Sequence, residues 1–393
     1  MSPPDSGRVA LATIAREWGR IGVIGFGGPP AHIILLRTLC VERRGWLESR
    51  DFEDGLAAVN LLPGPASTQL AIFCAWRLRG AAGAVVGGVC FIAPGLVVIL
   101  GLAALFLTAH PPLWIEGAAA GAGAAVPAVA VHAALGLVPA SWRRVGHQRP
   151  RRARWVVYVV AGAIAAATVG PFLVLVLLAC GLVEVATTTS PGPGARRGTE
   201  RAPAVMGVLF PAVAVGGLGA LAWVAFKVGA LSYGGGFVII PLIQHDAVTT
   251  YHWMTGTQFL NAVALGQVTP GPVVQTVAVV GYAASGVGGG LLAALIAFAP
   301  SFAFVLAGGP HFDRLRRSGP AQAFLTGAGA AAIGAIAGSS IPLGRELSHL
   351  WQLGVLGLAA LWLVALRRPV VVGLVIAALL GVVAALAGAP LSR

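Results

Sequence analysis

The chain has 393 residues, of which 57% are hydrophobic and only 10% are charged. Soluble domains carry about a quarter charged residues, so this composition excludes a soluble globular protein and indicates an integral membrane protein. The formal net charge of +13 does not indicate nucleic acid as a partner, because the 26 Lys and Arg residues lie mostly in short segments between apolar blocks, as in cytoplasmic membrane loops.

Residues 1–20 contain Arg16, Glu17 and Arg20 at the place where a signal peptide would have its apolar region. We therefore expect the first membrane segment to direct insertion. The four cysteines are scattered without CxxC spacing, and we interpret them as packing residues: Cys40, Cys74, Cys90 and Cys180. Neither a metal site nor a cofactor is predicted.

Long apolar blocks without Lys, Arg, Asp, Glu or His recur along the chain, and each is at least as long as the ~20 residues that cross a bilayer as a helix. They cover residues 81–109, 155–183, 205–226, 318–344 and 369–392. A longer block, 253–310, exceeds one span about threefold and therefore contains a turn. We predict an all-α integral membrane protein with about 10–13 membrane segments.

An internal repeat organises these blocks. Residues 22–65 align without a gap with residues 229–272 at a constant offset of 207, and a shorter match follows at an offset of 206. The identities include Gly27/Gly234, Gly28/Gly235, Trp46/Trp253, Pro63/Pro270, Gly64/Gly271 and Pro65/Pro272. Residues 187–203 are polar and rich in Pro and Gly, as linkers are. We predict two homologous repeats, 1–186 and 204–393, joined by this linker.

The distribution of arginines predicts that the two repeats have inverted topology. Residues 37–50 contain four arginines, whereas the equivalent residues 244–256 contain neither Lys nor Arg. Because arginine-bearing segments lie on both sides of residues 51–76, we predict that this stretch is a re-entrant hairpin that turns at residues 62–65. Residues 155–187 are compatible with one long tilted span or with two short helices.

Each repeat has two glycine- and proline-rich breaks inside apolar sequence: residues 25–30 and 62–65 in the first, and 232–236 and 269–272 in the second. Broken helices at membrane depth are tolerated where they line a cavity, and matched breaks in inverted repeats point to a transporter's central site. Helix N-termini there would face an anion. Close helix packing is the alternative explanation for the glycines.

Glycine amides, hydroxyls and side-chain amides can bind a tetrahedral oxyanion without adding charge. The predicted substrate-binding residues are Gly27, Gly28, His32, Asn60, Gly64, Ser67, Thr68, Tyr233, Gly234, Gly235, Gln267, Gly271, Gln275 and Thr276. Arg20 and Lys227 are equivalent at the offset of 207 and are candidate charge partners for a dianion, or else anchors at helix ends. His32 could also titrate with a coupled proton or act as a structural hydrogen-bonding residue.

The sequence contains no P-loop, GxSxG or HExxH motif and no paired carboxylates inside an apolar block, so we predict that the chain is not an enzyme. Transport would then draw its energy from an ion gradient or from the membrane potential. A membrane enzyme or a non-transporting membrane protein is the less favoured reading.

Five segments resemble motifs of the chromate ion transporter family in its long, two-domain form: 26–29 (FGGP), 42–47 (ERRGWL), 61–65 (LLPGP), 233–238 (YGGGFV) and 270–272 (PGP). The resemblance implies export of chromate from the cytoplasm across the cell (inner) membrane, driven by a proton gradient or the membrane potential. Transport of sulfate or another oxyanion is the alternative. The expected partners are a small oxyanion, membrane lipid and, as one option, a second copy in a homodimer.

Overall fold

The fold was obtained as a computed structural model, which describes residues 9–60, 62–107, 111–168, 173–188, 217–232, 239–308 and 318–391. These residues form 14 α-helices, and no strand occurs among them. The prediction of an all-α fold is therefore confirmed. Most of the predicted linker, 187–203, lies outside the described residues.

The helices fall into two consecutive sets of seven. The first set is α1 (Leu11–Ile24), α2 (Pro29–Arg37), α3 (Ser49–Val59), α4 (Ala66–Phe106), α5 (Leu113–Val145), α6 (Arg149–Thr168) and α7 (Leu173–Thr188). The second set is α8 (Leu218–Leu231), α9 (Ile239–Gln244), α10 (Gly256–Val268), α11 (Thr276–Gly308), α12 (Gly319–Arg345), α13 (Leu350–Ala360) and α14 (Val370–Leu386). Short π-helical segments extend α2, α9 and α13.

The helix bounds repeat along the chain as the sequence alignment does. Helices α1 and α8 begin and end 207 residues apart. The two long helices α4 and α11 are each interrupted by one pair of non-helical residues, Arg79–Gly80 and Ser285–Gly286, with closely similar dihedral angles and an offset of 206. The single deletion between the repeats therefore lies between the Pro-Gly-Pro segments and these kinks.

The kink in α4 reverses the chain. A Cβ atom on Gly83 would lie 2.3 Å from the Ala75 carbonyl, and one on Gly88 would lie 2.9 Å from the Ile72 side chain. Residues before and after Arg79–Gly80 can meet in this way only if the two parts of α4 pack side by side. The second part, 81–106, is about 39 Å long and can span a bilayer, whereas the first, 66–78, is about 20 Å long and cannot.

Two hairpins of short helices therefore begin the first repeat. Helix α3 and the first part of α4 flank residues 62–65, as the predicted re-entrant hairpin requires. Helices α1 and α2 also fold back on each other, because Arg44 donates a 2.6 Å hydrogen bond to Glu17 and Trp46 stacks on Trp18. Each hairpin has a glycine-containing break at its tip.

Among the described residues, four helical stretches are long and apolar enough to span a membrane: Ala66–Phe106, Leu113–Val145, Val273–Gly308 and Gly319–Arg345. Residues 155–187 form two helices and not one tilted span, since Arg154 at the start of α6 bonds Glu184 near the end of α7 at 2.8 Å.

The last two helices of each repeat pack on the fifth helix of the other repeat. Helix α5 of the first repeat packs on α14, where Gly121 meets the Ala377 backbone, and α12 of the second repeat packs on α6, where Gly334 meets the Val159 backbone. The small residues let the backbones approach closely, as is usual between membrane helices. This reciprocal packing is compatible with the predicted inverted repeat.

Candidate functional site

The hairpin tips of the two repeats bind each other through a reciprocal pair of backbone hydrogen bonds. The amide of Gly64 donates to the carbonyl of Ser232 at 3.1 Å, and the amide of Gly271 donates to the carbonyl of Gly25 at 3.1 Å. Both the donors and the acceptors are equivalent at the offset of 207. Each Pro-Gly-Pro tip therefore contacts the first break of the other repeat, so the predicted breaks meet in two pairs.

Glycine is required at both Pro-Gly-Pro tips. Gly64 has φ +117° and Gly271 has φ +101°, a backbone region that residues with a Cβ atom rarely adopt. A Cβ atom on Gly64 would also lie 2.5 Å from Nε2 of Gln69. Gly95 is equally constrained, because a Cβ atom there would lie 2.1 Å from the Pro270 carbonyl.

His32 lies next to this junction and is fully buried. Its Nε2 is 2.9 Å from the Gly25 carbonyl, which can only accept, so Nε2 carries the hydrogen. In the neutral ring Nδ1 then accepts from the Ser67 hydroxyl at 3.2 Å. Both ring nitrogens are engaged in supporting the break, and His32 does not line the neighbouring cavity. In this conformation its geometry is that of a structural hydrogen-bonding residue.

A cavity of about 370 Å³, which we call the central cavity, lies beside the junction, and its wall includes Gly27 and Gly28. Four of the predicted substrate-binding residues line it: Gly27, Gly28, Asn60 and Gln267. Helix α2 begins at Pro29, which also lines the cavity, so the positive end of a helix dipole is at the cavity wall. Liquid water takes up about 30 Å³ per molecule, so a small oxyanion fits with several waters.

The polar groups in this cavity suit an anion. Asn60 and Gln267 are equivalent in the two repeats, and both present amide groups. Nε2 of Gln267 is buried and has no hydrogen-bond partner among the described residues, which leaves a donor free for a ligand. No Asp or Glu occurs among the described residues that line the cavity. His132 of α5 is its one titratable lining residue in the described chain, and our sequence analysis did not select it.

Further unpartnered polar atoms surround the Gly64 tip. Within the described chain the hydroxyls of Ser232 and Ser301 and Oε1 of Gln69 are buried without a hydrogen-bond partner. A Cβ atom on Gly64 would lie 3.3 Å from Oγ of Ser301, so that hydroxyl faces the tip. Ser301 lies in a long apolar run, and no sequence signal distinguished it from a helix-packing serine.

The other predicted polar residues are buried behind the tips and do not line the central cavity. Thr68 is fully buried, and its hydroxyl finds no partner in the described chain. Gln275 donates from Nε2 to the Ile92 carbonyl at 2.8 Å, and Thr276 donates to the Val273 carbonyl at 2.9 Å. Three further predicted residues, Tyr233, Gly234 and Gly235, lie outside the described residues.

The two candidate charge partners lie away from the cavities. Lys227 forms an ion pair with Asp246 at 2.5 Å and lies 6.0 Å from the ring centre of Trp223. Arg20 is exposed. Neither residue lines the central cavity, so a role in neutralising a dianion stays a prediction.

A second cavity of about 230 Å³ adjoins the first and shares three lining residues with it, Asn60, Ala66 and Leu137. It is also lined by Gly64 of the tip and by Arg144 near the end of α5. Asn60 therefore borders both cavities. The sequence did not single out Arg144, because its position relative to the tip depends on how α5 packs.

Comparison with known proteins gives a consistent family. A family model described as chromate transporter matches residues 12–185 and 219–383. The chromate transport protein of Cupriavidus metallidurans is 34% identical over 83% of this chain and 81% of its own length. The probable chromate transport protein of Synechococcus elongatus is 28% identical over 95% of both chains, and the chromate transport protein of Pseudomonas aeruginosa is 30% identical over 83% of this chain and 79% of its own length. No solved structure matches the chain significantly.

These relatives are named as transport proteins and not as enzymes, in agreement with the absence of catalytic motifs from the sequence. The two matched regions of the family model together cover most of the chain and fall on the two sets of helices. The apolar helices make this a multi-pass membrane protein. The chain belongs to the chromate transporter family.

Proposed function

We propose that this chain exports chromate from the cytoplasm across the cell (inner) membrane and that the substrate passes through the central cavity. The observation that carries the proposal is the composition of the cavity wall. It combines the first break, the start of α2 and the equivalent amides of Asn60 and Gln267, with no carboxylate among the described lining residues. The relatives named as chromate transport proteins support the choice of substrate.

Neutral donors are well suited to a transported dianion. Hydrogen bonds to a charged group contribute about 1.5–3 kcal/mol each, so a few amides compensate part of the lost hydration. Because they carry no full positive charge, they attract the anion less strongly than a cation at the same distance would. A carrier needs such moderate binding, because the ligand must leave on the other side.

The substrate would reach the central cavity from one side of the membrane at a time, through one of the two tip junctions. Each junction contains one hydrogen bond between the repeats, from Gly64 to Ser232 or from Gly271 to Gly25. In inverted-repeat carriers the repeats exchange conformations around a fixed site. We assign the repeats to residues 1–186 and 204–393, with inverted topology, and expect one junction to open while the other stays closed.

Energy would come from a proton gradient or from the membrane potential. His132 is the titratable group that the described cavity wall offers for proton coupling, since its protonation would add a positive charge next to the anion. Sulfate is the alternative cargo, because amides and backbone N–H groups present similar donors to any tetrahedral dianion.

The test is uptake of radiolabelled chromate into inverted membrane vesicles, with a pH gradient or a potential imposed separately. The proposal predicts uptake that requires one of these driving forces and that excess sulfate reduces only weakly. Strong uptake of sulfate with little uptake of chromate would reassign the cargo. Uptake of neither anion by correctly inserted protein would remove the transport proposal.

A further inference from the structure

The second cavity combines the features of an anion-binding vestibule. Its wall contains the Gly64 tip and Asn60 on one side and Ser141, Arg144 and Thr326 on the other. No carboxylate occurs among its described lining residues. Because it shares Asn60 with the central cavity, an anion held near Arg144 would be next to the proposed transport path.

The arginines around the end of α5 are not equivalent. Arg154 is bound to Glu184 by two hydrogen bonds, and Arg152 donates to the Gly146 carbonyl and stacks over Trp142. Arg144 has no ion-pair partner within the described part of the chain and lines the cavity. Its guanidinium can therefore form a forked pair of hydrogen bonds with an oxyanion.

Ser141 adds a second donor on the same face of α5. Its Oγ accepts a 2.9 Å hydrogen bond from Nε1 of Trp155, which orients the hydroxyl and leaves its hydrogen free to donate. Thr326 is different, because its hydroxyl already donates to the Gln322 carbonyl at 2.8 Å. The vestibule thus offers one cation, one oriented hydroxyl and one amide.

We propose that this cavity is a cytoplasmic vestibule for tetrahedral dianions in which Arg144 binds the anion before it passes Asn60 into the central cavity. The assignment of the side and of the onward path rests on the proposed function. Residues 143–154 contain six arginines, a bias that assigns this end of α5 to the cytoplasm. A cation in the wall of a cavity raises the local anion concentration and the rate of capture.

The first experiment compares Arg144→Gln with Arg143→Gln in chromate uptake by inverted vesicles. Both changes remove one positive charge from the last turn of α5, but only Arg144 lines the cavity. We expect Arg144→Gln to raise KM about tenfold, as the loss of one charge-assisted contact does, with Arg143→Gln close to the unchanged protein and Arg144→Lys intermediate. Equal KM values for the Arg144→Gln and Arg143→Gln variants would overturn the inference and leave the proposed function intact.

The second experiment needs no transport. Thr326→Cys is introduced into a variant whose four native cysteines are replaced by alanine, and its reaction with negatively and positively charged methanethiosulfonate reagents is timed. Arg144 should favour the negative reagent, and sulfate should slow that reaction. Arg144→Gln should abolish both effects, and Arg143→Gln should preserve them.

These two measurements separate the possible failures. If inserted protein carries no chromate but Thr326→Cys shows the Arg144-dependent preference, the proposed function fails and the anion site stands. If the reagent preference and the effect of sulfate are the same with and without Arg144, the site is wrong even where transport is confirmed.

Discussion

The amide of Gly64 in the first repeat donates a hydrogen bond to the carbonyl of Ser232 in the second, and the pair formed by Gly271 and Gly25 repeats this contact with the roles of the repeats exchanged. Such reciprocity is typical of units related by a two-fold axis. The two contacts bring the first break and the Pro-Gly-Pro tip of each repeat to the interface between the repeats. A small relative movement of the repeats would open one of these junctions.

We predict that Gly64→Ala reduces chromate transport to below about a tenth while the protein still inserts. Alanine would be strained at φ +117° by about 1–2 kcal/mol, and its Cβ would lie 2.5 Å from Nε2 of Gln69. The junction hydrogen bond to Ser232 would then be lost. The measurement is initial uptake normalised to the amount of inserted protein.

Gly45→Ala is the matched control for this variant. Gly45 also has positive φ, at +59°, but a Cβ atom there meets nothing within 4 Å. Its equivalent in the second repeat is His252, which adopts φ +51° with a side chain. Transport should be retained in this control. If both glycine variants lose transport equally, backbone strain and not the junction is responsible.

Two substitutions of Gln267 should distinguish the effect of hydrogen bonding on chromate binding in the central cavity from the effect of charge. Gln267→Met removes the donor at similar size, and the loss of a bond to a charged ligand, about 1.5–3 kcal/mol, should raise KM about 10- to 100-fold. Gln267→Glu places a carboxylate against a dianion and should abolish uptake. Both are measured as concentration dependence of chromate uptake.

Gln258→Glu provides the control for the added negative charge. Gln258 lies at the start of the same helix, α10, where its side chain forms a capping box with Thr255 that glutamate can also form. We expect this variant to transport normally. Comparable loss in the Gln258→Glu and Gln267→Glu variants would show that the effect is not specific to the cavity.

The ion pair between Lys227 and Asp246 allows the predicted charge role of Lys227 to be tested. Lys227→Met should lower the amount of folded protein, because it leaves the buried carboxylate of Asp246 without its partner. The residue equivalent to Asp246 in the first repeat is Leu39. We therefore expect the double variant Lys227→Met/Asp246→Leu to recover both folding and transport.

The readouts are the yield of monodisperse protein in detergent and chromate uptake in vesicles. A double variant that folds but does not transport would instead favour Lys227 as a charge partner for the substrate, as the sequence suggested. Asp246→Leu alone is the reference for the cost of leaving the lysine unpaired.

His132 is the residue of the described cavity wall that we propose for proton coupling. His132→Gln keeps a hydrogen-bonding side chain but cannot titrate, so uptake driven by a pH gradient should fall while exchange of chromate without a gradient persists. Uptake in vesicles and exchange in proteoliposomes are measured on the same preparations. Undiminished gradient-driven uptake would assign the coupling elsewhere and favour the membrane potential.

Much of the fold could be predicted because the two repeats have identical residues at a constant offset. The offset of 207 that joins Gly64 to Gly271 also gives the bounds of α1 and α8. The reversal inside α4 was also expected, because Arg77 and Arg79 separate the predicted hairpin 51–76 from the apolar block that begins at residue 81. The packing of one repeat on the other, such as Gly121 on Ala377, was not predicted, because small residues recur throughout the apolar blocks and do not specify a partner.

The candidate site was predicted in part for a similar reason. Asn60 and Gln267 were selected because they stand beside breaks, and both line the central cavity; that they bind the substrate stays a prediction. His132 and Arg144 line the cavities because α5 packs beside the hairpins. This packing is not visible in the sequence around either residue. The ion pair between Lys227 and Asp246 was not predicted, because the glycine-rich segment 232–236 separates the two residues in the sequence.

The most direct test of the central claim is counterflow in proteoliposomes that contain only the purified protein. Vesicles loaded with unlabelled chromate are diluted into a trace of labelled chromate, so no assumption about the driving force is needed. The account predicts transient accumulation of label with the unchanged protein and none with Gln267→Glu. Folded protein that shows no accumulation, or equal accumulation with both proteins, would contradict transport of chromate through the central cavity.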